Sequence, residues 1–279
     1  MLSKNDKFMR ILRTLLLLIF ALVYLSPVLY MFLASLLPDE EVLRVMGGVG
    51  ALGTLSISLQ NYHDVLSRIN FPRALINSFV ICSLIVLPGI LVNSLAGYSL
   101  SRLRWRGRSF VFYLVLALLI IPFEAIAVPL FYQVTLLGWR NTYIAQILPF
   151  IANPFSIYLF YTFFLAMPRE LEDAARIDGA GSFTIFFKVV LPNAKPAIAS
   201  VAIITFLMHW GVYLWPLLVT SGEEVRPLPL AIANLYTLPP LMWGDVLAFG
   251  MMMILPLLFI YFWFQNWIVT GISRAGIKS

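Results

Sequence analysis

Apolar residues run through this chain in long blocks rather than at the spacing of an amphipathic helix or strand. Six blocks stand out: Leu15–Leu36, Ile76–Leu100, Phe110–Leu130, Tyr143–Leu165, Ile198–Thr220 and Val246–Val269. A bilayer core takes about 20 apolar residues per helix, and each block is long enough. Five contain no Asp, Glu, Lys or Arg; the third contains only Glu124. Membrane barrel strands alternate polar and apolar residues, and these blocks do not. The pattern predicts an all-α integral membrane protein with six transmembrane helices. A short segment over residues 1–14 precedes one membrane domain over residues 15–279, with a long polar loop over residues 166–196 between blocks four and five.

Composition supports this. Of the 279 residues, 61% are hydrophobic and 11% charged. A soluble domain of this size has too little interior to hide that much apolar surface, so lipid must be much of its solvent. The net charge of +6 suggests nucleic acid until it is mapped. Lys4, Lys7, Arg10 and Arg13 precede the first block. Arg102, Arg104, Arg106 and Arg108 lie between blocks two and three, and Arg169, Arg176, Lys188 and Lys195 between blocks four and five. Arg274 and Lys278 follow the sixth. The opposite side holds Arg44, Arg68, Arg73, Arg140 and Arg226. The positive-inside rule places both termini and the 166–196 loop in the cytoplasm. The charge therefore reports orientation, and no basic surface is large enough for nucleic acid.

The first block is too long for a signal-peptide core and lacks a small-x-small cleavage site, so it is expected to be a retained helix. Cys82, the single cysteine, excludes an intramolecular disulfide. Between blocks one and two, Gly47-Gly48-Val49-Gly50 is expected to be flexible. It lacks the Gly-Lys-Ser/Thr of a phosphate loop, as does the rest of the chain, so ATP hydrolysis would fall to another protein. The connection Ser221–Asp245 carries Glu223-Glu224 and Pro227, Pro229, Pro239 and Pro240. It reads either as a rigid outward surface or as a solvated connector. His63, beside Tyr62 and Asp64, has no spaced partner and is weak evidence for a metal.

The 166–196 loop carries the most specific pattern. Pro168 through Gly179 predicts a short helix: Pro168 suits its start, and Glu170, Glu172 and Asp173 suit the positive end of the dipole. Gly179 is placed to end it in a left-handed conformation. A second short helix, Ser182–Val190, is expected to end at Leu191-Pro192. Ala174 and Ala175 offer a face that another backbone can approach closely, and Leu171 and Ile177 offer apolar anchors. A membrane-surface helix is the alternative, but it usually carries Lys and Arg opposite bulky aromatics.

Asp173-Ala174-Ala175, three residues, Gly179, nine residues, Val189, one residue and Leu191-Pro192 resemble the "EAA" loop of ATP-binding-cassette (ABC) importer permeases. Asp173 stands where that family has Glu, and Val189 where it has Ile. Ala174-Ala175-Arg176-Ile177-Asp178-Gly179-Ala180 is similar to its carbohydrate-importer branch, of the maltose and glycerol-phosphate type. So are Asn77-Ser78, Ala96 to Arg102 with the Arg106-Gly107-Arg108 turn, Asn141-Thr142-Tyr143, Tyr213 to Leu217, and Gly271 with Ala275 to Ser279. The resemblance implies a type I importer permease fold with a cytoplasmic coupling helix and no catalysis by this chain. It implies a second homologous permease, a dimer of ABC ATPases that binds ATP and Mg, an extracytoplasmic solute-binding protein, and a carbohydrate or polyol-like small-molecule solute. Glu172, Asp173, Ala174, Ala175, Asp178, Gly179, Leu191 and Pro192 would meet the ATPase.

Within the spans, a carboxylate costs roughly 2.5–3.5 kcal/mol at the centre even on insertion scales. Glu124 should therefore face a solute pathway, a polar partner or the outer interface. Trp210, Tyr213 and Trp215 are candidates to stack on a sugar, although helix packing uses the same residues. Trp210 is followed by Gly211, where the carbohydrate branch often has Asn, which removes one hydrogen-bonding group. A stand-alone secondary transporter or channel would show an internal repeat or several ionisable groups in its spans. A membrane enzyme would need a paired catalytic constellation. Neither is visible. An ABC permease for a non-sugar solute is the nearest alternative.

Overall fold

The computed structural model describes residues 4–46, 57–237 and 239–276, and side chains over a somewhat narrower set. The Gly47–Gly50 segment and the terminal Ile277-Lys278-Ser279 lie outside them. The described residues are helical and turn, with no strand. They form two compact units, one from the described parts of Met1–Phe71 and Ile232–Pro256, the other from those of Pro72–Ala231 and Leu257–Ser279.

The first unit begins with α1 (Lys4–Ser35), whose side chains from Met9 to Leu25 are exposed. In water this would be untenable; in lipid it needs no cover. Two short helices follow, α2 (Asp39–Met46) and α3 (Gln60–Arg68). Polar side chains tie the unit together. Asn61 Nδ2 donates to the carbonyls of Ser35 and Leu37, each at 2.8 Å, at the unsatisfied end of α1. Arg68 meets the buried Asp245 at 2.5 Å, and the Gly244 amide donates to Asp39 at 2.8 Å.

The second unit opens with α4 (Phe71–Arg102), which runs unbroken through Pro88. Helices α5 (Arg108–Ile120) and α6 (Phe123–Leu136) follow, bent by 103° at the break between them. The expected third span is therefore interrupted. Ile121 precedes a proline and takes an extended conformation, and Pro122 continues it at ψ 143°. Next come α7 (Tyr143–Ile147), a 3-10 turn over Leu148–Phe150, and α8 (Pro154–Ala166). Tyr143–Ala166 is long and apolar enough to cross a membrane. The backbone groups freed at Ile151–Asn153 are taken up by the buried Asn93 of α4, which donates to Ile151 O and accepts from Asn153 N.

The polar loop forms α9 (Glu170–Ile177), then α10 (Ser182–Ile185), a π turn over Phe186–Val190 and α11 (Leu191–Asn193). Helicity thus continues through Leu191-Pro192 instead of stopping there, because a proline fits the first turn of a helix. The chain bends at Ala194, by 76°, into α12 (Lys195–Trp210). The expected fifth span also breaks, at Gly211–Tyr213, before α13 (Leu214–Val219). Pro216 is the physical reason: its ring clashes with the carbonyl four residues back, at Val212.

Residues 223–226, read as part of a surface loop, are held by their backbone. Asn77 donates to Glu223 O and Arg226 O, Arg73 to Glu224 O, and Gln146 to Val225 O. Pro227 and Pro229 are buried and open α14 (Leu228–Thr237), so this stretch is a packed helix more than a presented surface. The last helix, α15 (Trp243–Gly276), passes through Pro256 unbroken. Among the described residues, four helices are long and apolar enough to cross a membrane, up to six spans if each bent pair crosses once.

Candidate functional site

The α9 helix stands on an aromatic core. Tyr98 of α4, Phe160 and Phe164 of α8, Ile185, Phe186 and Val190 of the following turn, and Ala194, Ala197 and Val201 at the start of α12 form one buried cluster. Ala175 and Ala180 pack against its edge. Close approach of α4 and α8 makes this cluster tight: a Cβ on Gly97 would lie 2.7 Å from Phe160 Cβ and 2.9 Å from Tyr161 N.

Helix α9 ends as its sequence requires. Gly179 sits at φ +81°, the Ala180 amide donates to Ala175 O at 2.9 Å, and the Gly179 amide to Arg176 O at 3.0 Å. This is a Schellman ending, with the left-handed residue just past the helix. No atom lies within 4 Å of a Cβ built on Gly179. Its backbone conformation, not crowding, calls for glycine there.

The eight loop residues expected to face an ATPase divide into two sets. Asp173, Ala174, Asp178, Gly179 and Pro192 are exposed. Ala175 is half-buried against the core, and Leu191 is half-buried and packs on the same cluster. Glu172 is turned inward and only 3% exposed. Its position in the first turn suited it to the helix dipole, but the side chain finds Arg102 and Tyr98 beneath it. The paired alanines therefore do not share one face: successive helical residues are about 100° apart, and only Ala174 looks outward.

Sequence reasoning foresaw Leu171 and Ile177 as anchors, and both are exposed, Ile177 at 87%. It did not single out Phe183, which is 75% exposed in α10. The available signal was an aromatic two residues past Gly181, beside the apolar residues Ile185 and Phe186 that face the core. Together, Leu171, Ile177 and Phe183 expose apolar side chains on a segment that also carries Asp173 and Asp178.

The expected membrane-pathway residues are scattered. Glu124 is exposed in the first turn of α6, where the dipole favours a negative charge. Tyr213 is exposed at the break before α13. Trp210 and Trp215 are each 1% exposed. Trp210 stacks on Phe206, with ring centres 5.3 Å apart, and Trp215 donates its indole N–H to Ala145 O at 2.9 Å. Both rings therefore serve packing. Trp215 also borders a cavity of about 20 Å³, room for one water-sized group. Ser78, Gln146, Phe150 and His209 line it too. Gln146 Oε1 is buried there without a hydrogen-bond partner among the described residues.

Residues 89–274 match the family described as binding-protein-dependent transport system inner membrane component. The chain is 35% identical to the arabinooligosaccharides transport system permease protein of Halalkalibacterium halodurans, over 92% of each chain. It is 32% identical to the trehalose/maltose transport system permease protein of Thermococcus litoralis, over 92% of this chain and 93% of that one. Among solved structures it is similar to a chain of a bacterial ABC transporter that imports the acidic polysaccharide alginate. That match has a TM-score of 0.79 and 26% identity, covering 95% of this chain and 98% of the other.

Proposed function

The chain belongs to the binding-protein-dependent transport system inner membrane component family, a permease subunit of an ABC importer, and on that premise we propose that it forms half of a carbohydrate pathway driven through α9. The carbohydrate class rests on the names of its relatives, an arabinooligosaccharide permease and a trehalose/maltose permease. The ATPase would be a separate dimer holding ATP and Mg. The other half of the pathway would come from a second homologous permease, and solute from an extracytoplasmic binding protein.

The observation that carries docking is the exposed apolar group Leu171, Ile177 and Phe183 on a short, rigidly capped loop. Exposed apolar side chains ringed by charges are the usual anatomy of a protein contact. Asp173, Ala174, Asp178, Gly179 and Pro192 complete the contact surface. Ala175 and Leu191 support it from below. In the membrane, Tyr213 and Glu124 are the expected pathway residues left exposed, whereas Trp210 and Trp215 hold helices together.

Affinity purification of this chain from its native membrane in mild detergent, with mass spectrometry of what remains bound, tests the proposal. A second permease and an ABC ATPase are expected. Recovery of the chain alone, still transporting in liposomes without ATP, would mean a secondary transporter.

A further inference from the structure

A force applied to α9 needs a rigid path into the membrane. Of α9 itself, Ala175 packs on the apolar cluster below, joined by Ala180 just past the helix. Such small side chains interlock little, and apolar attraction has no preferred direction. A polar group in the same place supplies direction.

Arg102 is the last residue of α4, and its side chain is 3% exposed. It links its own helix to two others, α8 and α9. Its Nη2 donates to the carbonyls of Phe164, in the last turn of α8, and Met167, just beyond it. The Phe164 carbonyl also accepts the Met167 amide at 3.1 Å, and both carbonyls sit at the negative end of the α8 dipole, so a guanidinium fits there. Its Nε lies 3.3 Å from Glu172 Oε1 of α9. Tyr98, one turn earlier on α4, donates its hydroxyl to Glu172 Oε2 at 3.2 Å. Arg176, one turn later on α9 and half exposed, approaches the same oxygen at 3.6 Å. One hydrogen bond, from Tyr98, and one ion pair without hydrogen-bond geometry, from Arg102, therefore join α4 to one carboxylate of α9, and Arg102 also holds the end of α8.

We propose that Tyr98, Arg102 and Glu172 form a clasp that makes α9 and the adjoining ends of α4 and α8 move as one body. Glu172 is then a positioning residue for coupling, not a contact of the ATPase. A buried ion pair is weak evidence for stability, and fixing register is its best-attested use. Sliding α9 past α4 would separate two charges that are almost wholly buried, whereas apolar surfaces slide past one another with less penalty. The clasp rests on α9 being the docking helix.

The test uses the assembled transporter: this chain, its partner permease and the ATPase. Spin labels are placed at Glu170→Cys on α9 and Arg104→Cys just after α4, both exposed positions, in a Cys82→Ala background. Their separation is measured with and without ATP and vanadate. With native Glu172, one narrow distance is expected, unchanged by nucleotide. In Glu172→Gln the distribution should broaden and shift with nucleotide, while Glu172→Asp, which keeps the charge, should recover part of the narrow peak. A purely packing role would leave Gln and Asp alike.

Tyr98→Phe keeps the ring and removes one arm of the clasp, so it serves if the Gln variant fails to accumulate. It should broaden the distribution to a smaller degree. A native distance that moves with nucleotide, or Gln and Phe variants indistinguishable from native, would overturn the clasp while docking stands. A Glu172→Gln chain that inserts but no longer holds the ATPase would also overturn it, by making Glu172 a docking contact. An ATPase that does not bind the native chain at all would remove the docking role, and the clasp with it.

Discussion

Gly179 shows how much one residue contributes. Its φ of +81° and the amide it gives to Arg176 O end α9. Gly179→Ala has room for its methyl group but must adopt a left-handed backbone, costing about 1 kcal/mol. Gly179→Pro cannot reach that φ and also loses the amide. Both variants should insert into the membrane. ATP-driven uptake is expected to fall modestly for Ala and to disappear for Pro; normal uptake by the Pro variant would remove the docking assignment. Burial separates the two alanines in the same way. Ala174→Arg places a charge on an exposed surface, so the chain should accumulate normally while ATPase co-purification drops at least tenfold, about 1.4 kcal/mol. Ala175→Arg pushes a guanidinium toward the aromatic core, so immunoblots of the membrane fraction should show less protein.

At the scale of elements, the spans are shaped by prolines and small residues more than by apolar length. Pro122 turns the third apolar block into two helices at 103°, and Pro216 cuts the fifth. A helix as short as the 13-residue α5 is about 20 Å long and does not cross a bilayer by itself. Proline breaks are tolerated because neighbours supply the missing hydrogen bonds, as Asn93 does at Ile151 and Asn153. Gly97 marks a close approach of α4 and α8. Gly97→Val would force a side chain against Phe160 Cβ and the Tyr161 amide, and overpacking of this kind typically costs about 1–3 kcal/mol. Thermal unfolding of the detergent-solubilised protein should show a lower midpoint. An unchanged Tm would mean that the contact between these helices is looser than its geometry.

For the whole molecule, the proposed orientation rests on charge and hydropathy together. The basic residues before the first span and around α9 share one side in the sequence pattern, and the positive-inside rule predicts that side to be cytoplasmic. A fluorescent reporter that matures only in the cytoplasm should glow when fused after Ser279. A phosphatase that folds only outside should be active when inserted at the exposed Ser221 and inactive at the C-terminus. The opposite result at either site would reverse the topology, and α9 could not then meet a cytoplasmic ATPase.

Some features of this protein were determined by sequence alone because they depend on local or summed properties. Membrane residence follows from the number of apolar side chains. The presence of α9 and its glycine ending follow from dipole, cap and backbone preferences within a dozen residues, although the helix starts at Glu170, two residues past Pro168. Tertiary structure decided which way each side chain of α9 points, and so moved Glu172 from the expected contact surface into the interior. Its partners, Tyr98 and Arg102, lie some seventy residues away in the chain, a distance that no local pattern spans. The same holds for Trp210 and Trp215. Aromatic type and position suit packing and sugar stacking equally, and only the neighbours Phe206 and Ala145 show that these two rings serve the fold.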